Sequence, residues 1–305
     1  MVFRTVTIVG CGLIGSSLMR AIRQNAVAEH IIAVDHNLDV CRRVEALGIA
    51  DVATTDLRKS VEESDLILLC VPPASCGKVA ADIRYALREG AIVSDVASVK
   101  GAVVADVLPH IPKNVHFIPA HPIAGTENSG PEAGFASLFE GRWCIITPLP
   151  DSDIQAVEKV TTLWERCGSL IEIMDVARHD LVLGITSHLP HLIAYTIVGT
   201  ANELEEDTKN EVIKFSASGF RDFTRIAASD PVMWRDIFLN NKEAILEILQ
   251  RFNEDLTAMQ KAIRKGDGDY LVEKLSRTRA IRRRVIKEGQ AEDPPGKASQ
   301  SRAAS

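Results

Sequence analysis

Three glycines near the start of the chain constrain its fold more than any other feature. Gly10, Gly12 and Gly15 form the pattern G-x-G-x-x-G between an apolar strand, TVTIV, and a helix predicted to begin near Leu13. Such glycines permit a tight turn, close approach of the backbone to a pyrophosphate, and close packing of the helix. A helix N-terminus also offers unpaired N–H groups to phosphates. The pattern predicts a dinucleotide-binding turn that includes Leu13 and Ile14.

An acidic residue in the right register supports this prediction. The second predicted strand, IIAVD, ends in Asp35, twenty positions after Gly15, where a carboxylate is expected to meet the adenine ribose hydroxyls. The alternative is a glycine turn with Asp35 capping the next helix. A carboxylate repels a ribose 2′-phosphate, so NAD is favoured over NADP, with His36 beside it as an opposing influence. Val71 and Pro72, which follow the run LILLCV, are expected to line the cofactor cleft.

Short apolar runs alternate with helical patterns across the first half of the chain. The runs are TVTIV, IIAVD, LILLCV, AIVSDV, VHFIPA, WCIIT and LIEIM, and helices are predicted from Leu13, from Leu38, over Ser75 to Leu87, after Lys100 and after Asp153. This alternation is typical of a parallel sheet covered by helices, and nearly continuous apolar strands fit burial on both faces. We predict an α/β, doubly wound, Rossmann-type domain over residues 1–174.

From Asp175 onward the hydrophobic period becomes helical almost throughout. Long segments such as LVLGITSHLPHLIAYTIVGTANEL have the apolar spacing of amphipathic or buried helices. Their apolar stripes exceed what one small helical domain can bury, and such surface commonly forms a dimer interface. We predict an all-α domain over residues 175–287 that forms a homodimer. Residues 288–305, rich in Pro, Gly, Ser and charge, are predicted to be a disordered tail.

Composition excludes several classes of function. The 305 residues carry a net charge of −6, which gives no general field for nucleic acid, and the segment RTRAIRRRVIK is explained as a solvated helix face. The chain shows no cleavable leader and no apolar run near the roughly 20 residues of a membrane span, so we expect a soluble, cytoplasmic protein without a membrane partner. Six cysteines without a C-x-x-C pair are expected to be reduced and mostly buried.

Four further segments carry polar residues that a core would not need. They are DVASVKG, HPIAGTENSGPEAGF, TSHLPH and SGFRDFTRIAASDPVMW. Together with the glycine turn they resemble the prephenate dehydrogenase family, which includes arogenate and cyclohexadienyl dehydrogenases. The resemblance runs from the glycine turn to about Lys287. It implies NAD-dependent oxidative decarboxylation of prephenate to 4-hydroxyphenylpyruvate in tyrosine biosynthesis, with arogenate as a possible second substrate.

The resemblance implies two catalytic residues. His121 in HPIAGTE matches the family's catalytic histidine, and an imidazole suits the acceptance of a hydroxyl proton at neutral pH. Without the motif, a histidine beside a proline is more often structural. Ser98 matches a serine placed near the nicotinamide and the reacting hydroxyl. The alternative for Ser98 is an N-cap on the helix at Lys100.

The resemblance also implies a substrate site in the helical half. His191 and Arg225 match residues that bind substrate carboxylates, for which the planar fork of arginine is suited. Arg221 has a secondary role or is a surface residue, and His188 is a further cationic candidate. His188 and His191 also have the spacing of a metal pair, but no third ligand stands out, and no metal is predicted.

Two more positions match the family. Glu127 is placed near the amine or keto end of the substrate. Trp234 lies near the site, either reaching across a dimer or as plain core. Two other functions remain open at this point: a dehydrogenase of the β-hydroxyacid type, which shares the fold, and a module that senses NAD without turnover.

Overall fold

A computed structural model describes residues 1–126, 128–203 and 218–287. The chain forms two compact units, one over Met1–Ile248 and one from Leu249 onward. Glu127 and the predicted tail lie outside the described residues.

A parallel sheet of six strands forms the centre of the first unit. The strands are β1 (Phe3–Val9), β2 (Ala28–Val34), β3 (Val52–Thr54), β4 (Leu66–Leu69), β5 (Ile92–Asp95) and β6 (His116–Phe117). Their order is β3-β2-β1-β4-β5-β6, the arrangement of dinucleotide-binding domains. All four residues of β4 are buried, as expected for a strand covered on both faces. The predicted doubly wound fold is confirmed.

Six helices connect these strands and follow them. They are α1 (Leu13–Gln24), α2 (Leu38–Leu47), α3 (Leu57–Val61), α4 (Pro73–Ile83), α5 (Gly101–Val107) and α6 (Ile154–Arg166). The side chains of Asn37 and Asp153 cap α2 and α6 by accepting backbone N–H groups. The helix predicted over Ser75–Leu87 begins earlier because Pro73 supplies a preorganised first turn, and it ends at Ile83.

A second, smaller sheet follows the first. It contains β7 (Ala120–Pro122), β8 (Trp143–Ile146) and β9 (Leu170–Ile173), with β7 antiparallel and β9 parallel to β8. The run VHFIPA was expected to form one strand, but it is divided between β6 and β7. The division places His121 on β7, opposite Ile145 of β8.

Buried side chains form two hydrophobic clusters in this unit. One cluster includes Leu18 and Met19 of α1 together with Trp164 of α6. The other includes Ile83 of α4 together with Trp234 of the helical region. All six cysteines are free thiols and five of them are buried, as predicted: the buried ones are Cys11, Cys41, Cys76, Cys144 and Cys167.

The rest of the described chain is helical, as predicted. Its helices are α7 (Val176–Leu183), α8 (Leu189–Asn202), α9 (Ser218–Thr224), α10 (Pro231–Asn240), α11 (Lys242–Lys265) and α12 (Gly268–Lys287). A single π-turn, Gly184–His188, joins α7 to α8. Pro190 follows it and has no N–H to donate, and a π-turn is one of the local adjustments that let a helix continue past a proline.

One segment departs from the expectation about membrane spans. Over Val176–Asn202 the helical chain is long and apolar enough to cross a bilayer by length and composition, with a mean hydropathy of 1.5 in its most apolar window. Core helices of soluble proteins pass the same test, so this property is weak evidence for a membrane. The expectation that no apolar run reaches this length is therefore wrong.

Candidate active site

The glycine turn has the geometry that a dinucleotide requires. Gly10 has φ +98°, and a Cβ there would lie 2.3 Å from the carbonyl oxygen of Cys70. A Cβ on Gly15 would lie 2.0 Å from the Gly10 carbonyl oxygen. At Gly12, in contrast, a Cβ would meet nothing within 4 Å. This open backbone stands at the N-cap of α1, which has no side-chain cap, so its first N–H groups are available to a pyrophosphate.

Asp35 lies at the end of β2 beside the same turn. Its carboxylate accepts the N–H groups of Cys11 and Asn37, each at 3.0 Å, and its side chain is 11% exposed. Asn37, not Asp35, caps α2. Asp35 is thus fixed against the glycine turn, where a ribose is expected. The residues around the turn fit an NAD cofactor.

His121 lies at the start of a chain of hydrogen bonds. Its Nδ1 is 2.9 Å from Nε2 of His179 on α7, and Nδ1 of His179 is 2.8 Å from Oδ1 of Asp180. His121 is only 6% exposed. Burial lowers the pKa of His121 well below its ordinary value of 6.5, and the neighbouring His179 and Lys100 lower it further. The imidazole is therefore uncharged at neutral pH.

Asp180 also holds the loop that carries Ser98. Its two carboxylate oxygens accept the backbone N–H groups of Lys100 and Gly101, each at 2.8 Å, at the N-terminus of α5. Burial raises the pKa of Asp180, but the hydrogen bonds from His179 and the two N–H groups outweigh it and lower the pKa below 3.8. The alternative role predicted for Ser98 is wrong: the N-cap position of α5 is Lys100, and a carboxylate from α7 serves as the cap.

A fully buried ion pair lies behind His121. Nζ of Lys100 contacts the carboxylate of Asp95 and donates to the carbonyl oxygen of Ala120 at 2.8 Å. Both side chains have no exposed surface. The ammonium thus joins the end of β5 to β7 immediately before His121. A buried charge requires such partners, because an unpaired one costs several kcal/mol.

His188 lies inside the fold and not on a substrate-facing surface. It has no exposed surface, and its Nδ1 is 3.0 Å from the amide nitrogen of Asn241, which also donates to the Asp180 carbonyl oxygen. Burial lowers the pKa of His188 to about 4, although Asp180 and the backbone of Ser98 oppose the shift. The ring is neutral, so the expected role of His188 as a cationic donor does not fit this position.

This burial predicts a pH-dependent stability. Unfolded His188 titrates near 6.5, whereas the folded residue titrates at about 4. Because the folded pKa is lowered, its contribution is present above pH 6.5 and is lost as the pH falls towards 4. At pH 5 the loss from this residue amounts to about 2 kcal/mol. We expect urea titrations to show a fall in the free energy of unfolding between pH 8 and pH 5.

A pair of variants isolates this effect. His188→Gln should lose about 2 kcal/mol of the difference between pH 8 and pH 5. His36→Gln should keep most of the difference, because the His36 side chain is 97% exposed and makes only a surface contact, 3.2 Å from Oδ1 of Asp35. Equal pH dependence in the wild type and His188→Gln would contradict the prediction.

His191 and Trp234 form a stacked pair. Their ring centroids are 3.6 Å apart, with 20° between the planes. Nδ1 of His191 lies 2.9 Å from the Ser187 carbonyl oxygen and donates to it, which leaves Nε2 as the free edge. Burial lowers the pKa of His191, and nearby Arg225 also lowers it. Trp234 is 5% exposed and packs in the core of its own chain, so it combines the core role with support of His191.

The two arginines predicted for the substrate differ in their surroundings. Arg225 begins a 3-10 turn and is exposed near His191. It has no ion pair with any residue that the structure describes. Arg221 on α9 points into solvent, with a side chain that is 75% exposed and 3.9 Å from Asp222. Arg221 therefore matches the surface alternative.

The two residues predicted to line the cofactor cleft lie beside the glycine turn. Val71 is partly buried and Pro72 exposed at the start of α4, next to the glycine turn at Cys70. Within residues 1–126, 128–203 and 218–287, no group of three or more potential ligands could hold a metal ion.

Sequence reasoning missed the residues that hold the site together. His179, Asp180 and Asn241 contribute contacts that join α7 to the loop before α5 and to His188. Lys100 belongs to the polar segment DVASVKG, which was singled out, and its position after a buried strand was the available signal. The dipeptide His179-Asp180 in a helix carries no comparable signal.

Comparisons with known proteins agree over nearly the whole chain. The nucleotide-binding domain of prephenate dehydrogenase matches residues 18–173, and its dimerization domain matches residues 175–277. The chain is 41% identical over 281 residues to a cyclohexadienyl dehydrogenase of Zymomonas mobilis, covering 92% of this chain and 96% of that protein.

Solved structures show the same similarity. A prephenate dehydrogenase from A. aeolicus, in complex with hydroxyphenyl propionate and NAD+, superposes with a TM-score of 0.86 at 35% identity and covers 92% of this chain and 98% of its own. An arogenate dehydrogenase from Synechocystis superposes with a TM-score of 0.80 at 26% identity, with 92% and 99% coverage.

The sheet order, the glycine turn and the polar cluster around His121 define an NAD-dependent dehydrogenase with a helical second part. The chain belongs to the prephenate dehydrogenase family. Its reaction class is that of the prephenate and arogenate dehydrogenases of tyrosine biosynthesis. The alternative of a β-hydroxyacid-type dehydrogenase is thereby set aside.

Proposed function

We propose that this chain oxidises and decarboxylates prephenate to 4-hydroxyphenylpyruvate with NAD, that it also accepts arogenate, and that His121 is the proton acceptor. The observation that carries the proposal is the state of His121, a buried imidazole kept uncharged and held through Nδ1. An uncharged imidazole is a competent base over the whole neutral range.

His121 on β7 and Ser98 on the loop after β5 have different roles in the proposed reaction. NAD, which the glycine turn and Asp35 would hold, would supply the acceptor for the hydride that leaves the ring carbon bearing the hydroxyl. His121 takes the hydroxyl proton as that carbon becomes a carbonyl. The bond to the ring carboxylate then breaks, carbon dioxide leaves, and the electron pair completes the aromatic ring by moving onto the carbonyl oxygen, which takes the proton back from His121 and becomes the phenol hydroxyl. Ser98, partly buried on the loop after β5, orients the hydroxyl by hydrogen bonding.

The helical part supplies the groups for the substrate carboxylate. Arg225 offers five donors and forms no ion pair with the described residues. His191 presents Nε2 from a ring fixed by Ser187 and Trp234, and this atom donates to the carboxylate when the imidazole carries a second proton, a form that the bound anion stabilises. Prephenate and arogenate have their carboxylates in common and differ at one other substituent, so the same groups bind both acids. Glu127 remains a prediction for the differing substituent.

Cofactor binding is assigned to the glycine turn and its surroundings. The open backbone at Gly12 and the uncapped N-terminus of α1, with Leu13 and Ile14, would hold the pyrophosphate of NAD. Asp35 would hold the ribose hydroxyls. Val71 and Pro72 line the cleft at the carboxyl end of β4.

Replacing Asp35 by serine should change the choice of cofactor. The change removes the ribose acceptor and the repulsion of a 2′-phosphate, so kcat/KM for NAD should fall and the ratio of NADP to NAD should rise, each about tenfold or more. Initial rates with both cofactors measure this. Asp39→Ser is the matched control, since Asp39 lies in α2 with a side chain that is 81% exposed. An unaltered preference in Asp35→Ser would contradict the placement of the ribose.

Residues 175–287 are proposed as a dimerising, substrate-binding domain of a cytoplasmic protein, with the boundary to the nucleotide-binding domain at residue 174. Apolar side chains of α8, α10 and α11 support this: Ile197, Val198, Leu239 and Leu246 are 38%, 40%, 64% and 62% exposed. Light scattering on protein prepared without detergent should give twice the mass of one chain. A monomer, or protein that pellets with membranes, would contradict this part.

The experiment that tests the activity is spectrophotometric. NADH formation is followed with prephenate and, separately, with arogenate, each with NAD and then NADP. Turnover with prephenate and NAD is expected. Binding of NADH without turnover of either acid would favour the NAD-sensing alternative and overturn the proposal.

A further inference from the structure

We infer that His179 and Asp180 are positioning residues that fix the tautomer of His121, with its proton on Nδ1 and its lone pair on Nε2. The inference rests on the proposed role of His121. His179 and Asp180, both on α7, thus have a function in the reaction that no sequence motif predicts.

The direction of each hydrogen bond in the series His121–His179–Asp180 follows from the last member, Asp180. The carboxylate of Asp180 is ionised and only accepts, so Nδ1 of His179 carries the proton across the 2.8 Å contact. A neutral imidazole has one proton, which leaves a lone pair on Nε2 of His179. Nδ1 of His121 lies 2.9 Å from that atom and must therefore donate. The proton of His121 is then on Nδ1, and Nε2 is free to accept the substrate proton.

The surroundings keep His179 in the neutral form that this argument needs. The ring has no exposed surface, and burial lowers its pKa below 6.5, with Lys100 acting in the same direction. Asp180 and Asp95 oppose this shift without reversing it. His188 and Lys100 also lie near His121 and lower its pKa. The charged groups around both rings thus leave each imidazole with a single proton.

Asp180 couples this tautomer to the position of Ser98. Oδ1 accepts from His179 and from the Lys100 backbone, while Oδ2 accepts from the Gly101 backbone. One carboxylate therefore orients the imidazole pair and holds the loop that follows β5. This arrangement fixes the position of His121, on the small sheet, relative to Ser98, on the loop that follows β5 of the large sheet. In known catalytic sites an acid orients a histidine by accepting a hydrogen bond from its Nδ1. Here Asp180 acts on His121 in this way through His179.

Two substitutions of His179 separate orientation from general damage. His179→Gln places an acceptor oxygen where Nε2 stood, whereas His179→Asn reaches only the position of Nδ1 and leaves Nδ1 of His121 without an acceptor. We expect His179→Asn to lower kcat about 100-fold with little change in KM. The kcat of His179→Gln should be at least about tenfold higher than that of His179→Asn. Equal losses in the two variants, or none in His179→Asn, would overturn the inference.

A second measurement does not depend on turnover. In protein labelled with 15N-histidine, the nitrogen spectrum distinguishes protonated from unprotonated ring nitrogens, and His121→Asn identifies the signals of His121 among the eight histidines. The wild type should show the proton on Nδ1 of His121 across pH 6 to 8, and His179→Asn should show both tautomers. A proton on Nε2 in the wild type would overturn the inference even if neither His179 variant folds.

The outcomes also distinguish this inference from the proposed function. Full turnover in His121→Asn would remove the proposed base, whatever tautomer the spectrum shows. Loss of turnover in His121→Asn together with an unaffected His179→Asn would leave the proposed function standing and remove the positioning role.

Discussion

His121→Asn is expected to lower kcat by about two to four orders of magnitude, the usual contribution of a general base. Asparagine keeps a polar group near the position of Nδ1, so the contact with His179 is largely preserved, but the proton acceptor at Nε2 is lost. NAD binding should be intact, because the glycine turn and Asp35 do not contact His121. Steady-state kinetics with prephenate and fluorescence titration with NADH measure the two quantities.

His30→Asn is the matched control for this prediction. His30 is an exposed residue of β2, and its replacement should leave kcat within about twofold of the wild type. A His121 variant as active as the His30 variant would remove His121 from the mechanism. Loss of NADH binding in His121→Asn would point to unfolding as the cause of inactivity.

Arg225→Gln is expected to raise KM for prephenate about 100-fold with a smaller effect on kcat. A hydrogen-bonded contact between a guanidinium and a carboxylate contributes up to about 3 kcal/mol, and about 1.4 kcal/mol corresponds to a factor of ten. Because the carboxylate is bound before and during hydride transfer, the loss falls mainly on binding. Arg225→Lys should recover only part of the affinity, since an ammonium lacks the planar fork.

Arg221→Gln provides the comparison. Arg221 lies four residues earlier on the chain, has the same charge, and is exposed beside Asp222. Its replacement should change KM by no more than about threefold. Similar increases in KM for both arginine variants would indicate a general electrostatic attraction of the substrate and would contradict a specific site at Arg225.

Much of the fold was predictable because its signals are local. The glycine turn, the apolar strands and the caps at Asn37 and Asp153 each depend on a few neighbouring residues, and the helices α1, α2, α5 and α6 begin where they were expected. The division of VHFIPA between two sheets was not predictable in this way. Its second half pairs with β8, more than twenty residues further along the chain, and nothing in the run itself indicates that partner.

In the candidate site, too, local motifs predicted the residue types, whereas tertiary packing determined their surroundings. His121, Ser98, His191 and Arg225 were predicted from motifs. His121 lies on β7, Ser98 on the loop after β5, His191 on α8, and Arg225 in the 3-10 turn near His191. The roles of His188 and Arg221 as cationic donors did not agree with their surroundings, since one is buried and neutral and the other is solvated. Burial of this kind depends on packing between elements, which a short motif does not contain.

The sequence by itself determined the nucleotide turn, the alternation that requires a parallel sheet, and the residue types available for the reaction. These follow from backbone sterics and hydrophobic period, which act between near neighbours. Only the tertiary structure decided the protonation state of His121 and the cap on α5. The first depends on the exclusion of water and on His179, 58 residues further along the chain, and the second depends on Asp180, which lies 79 and 80 residues beyond the two N–H groups that it caps. Hydrogen bonds and desolvation act through space, so they exist only once the chain has folded.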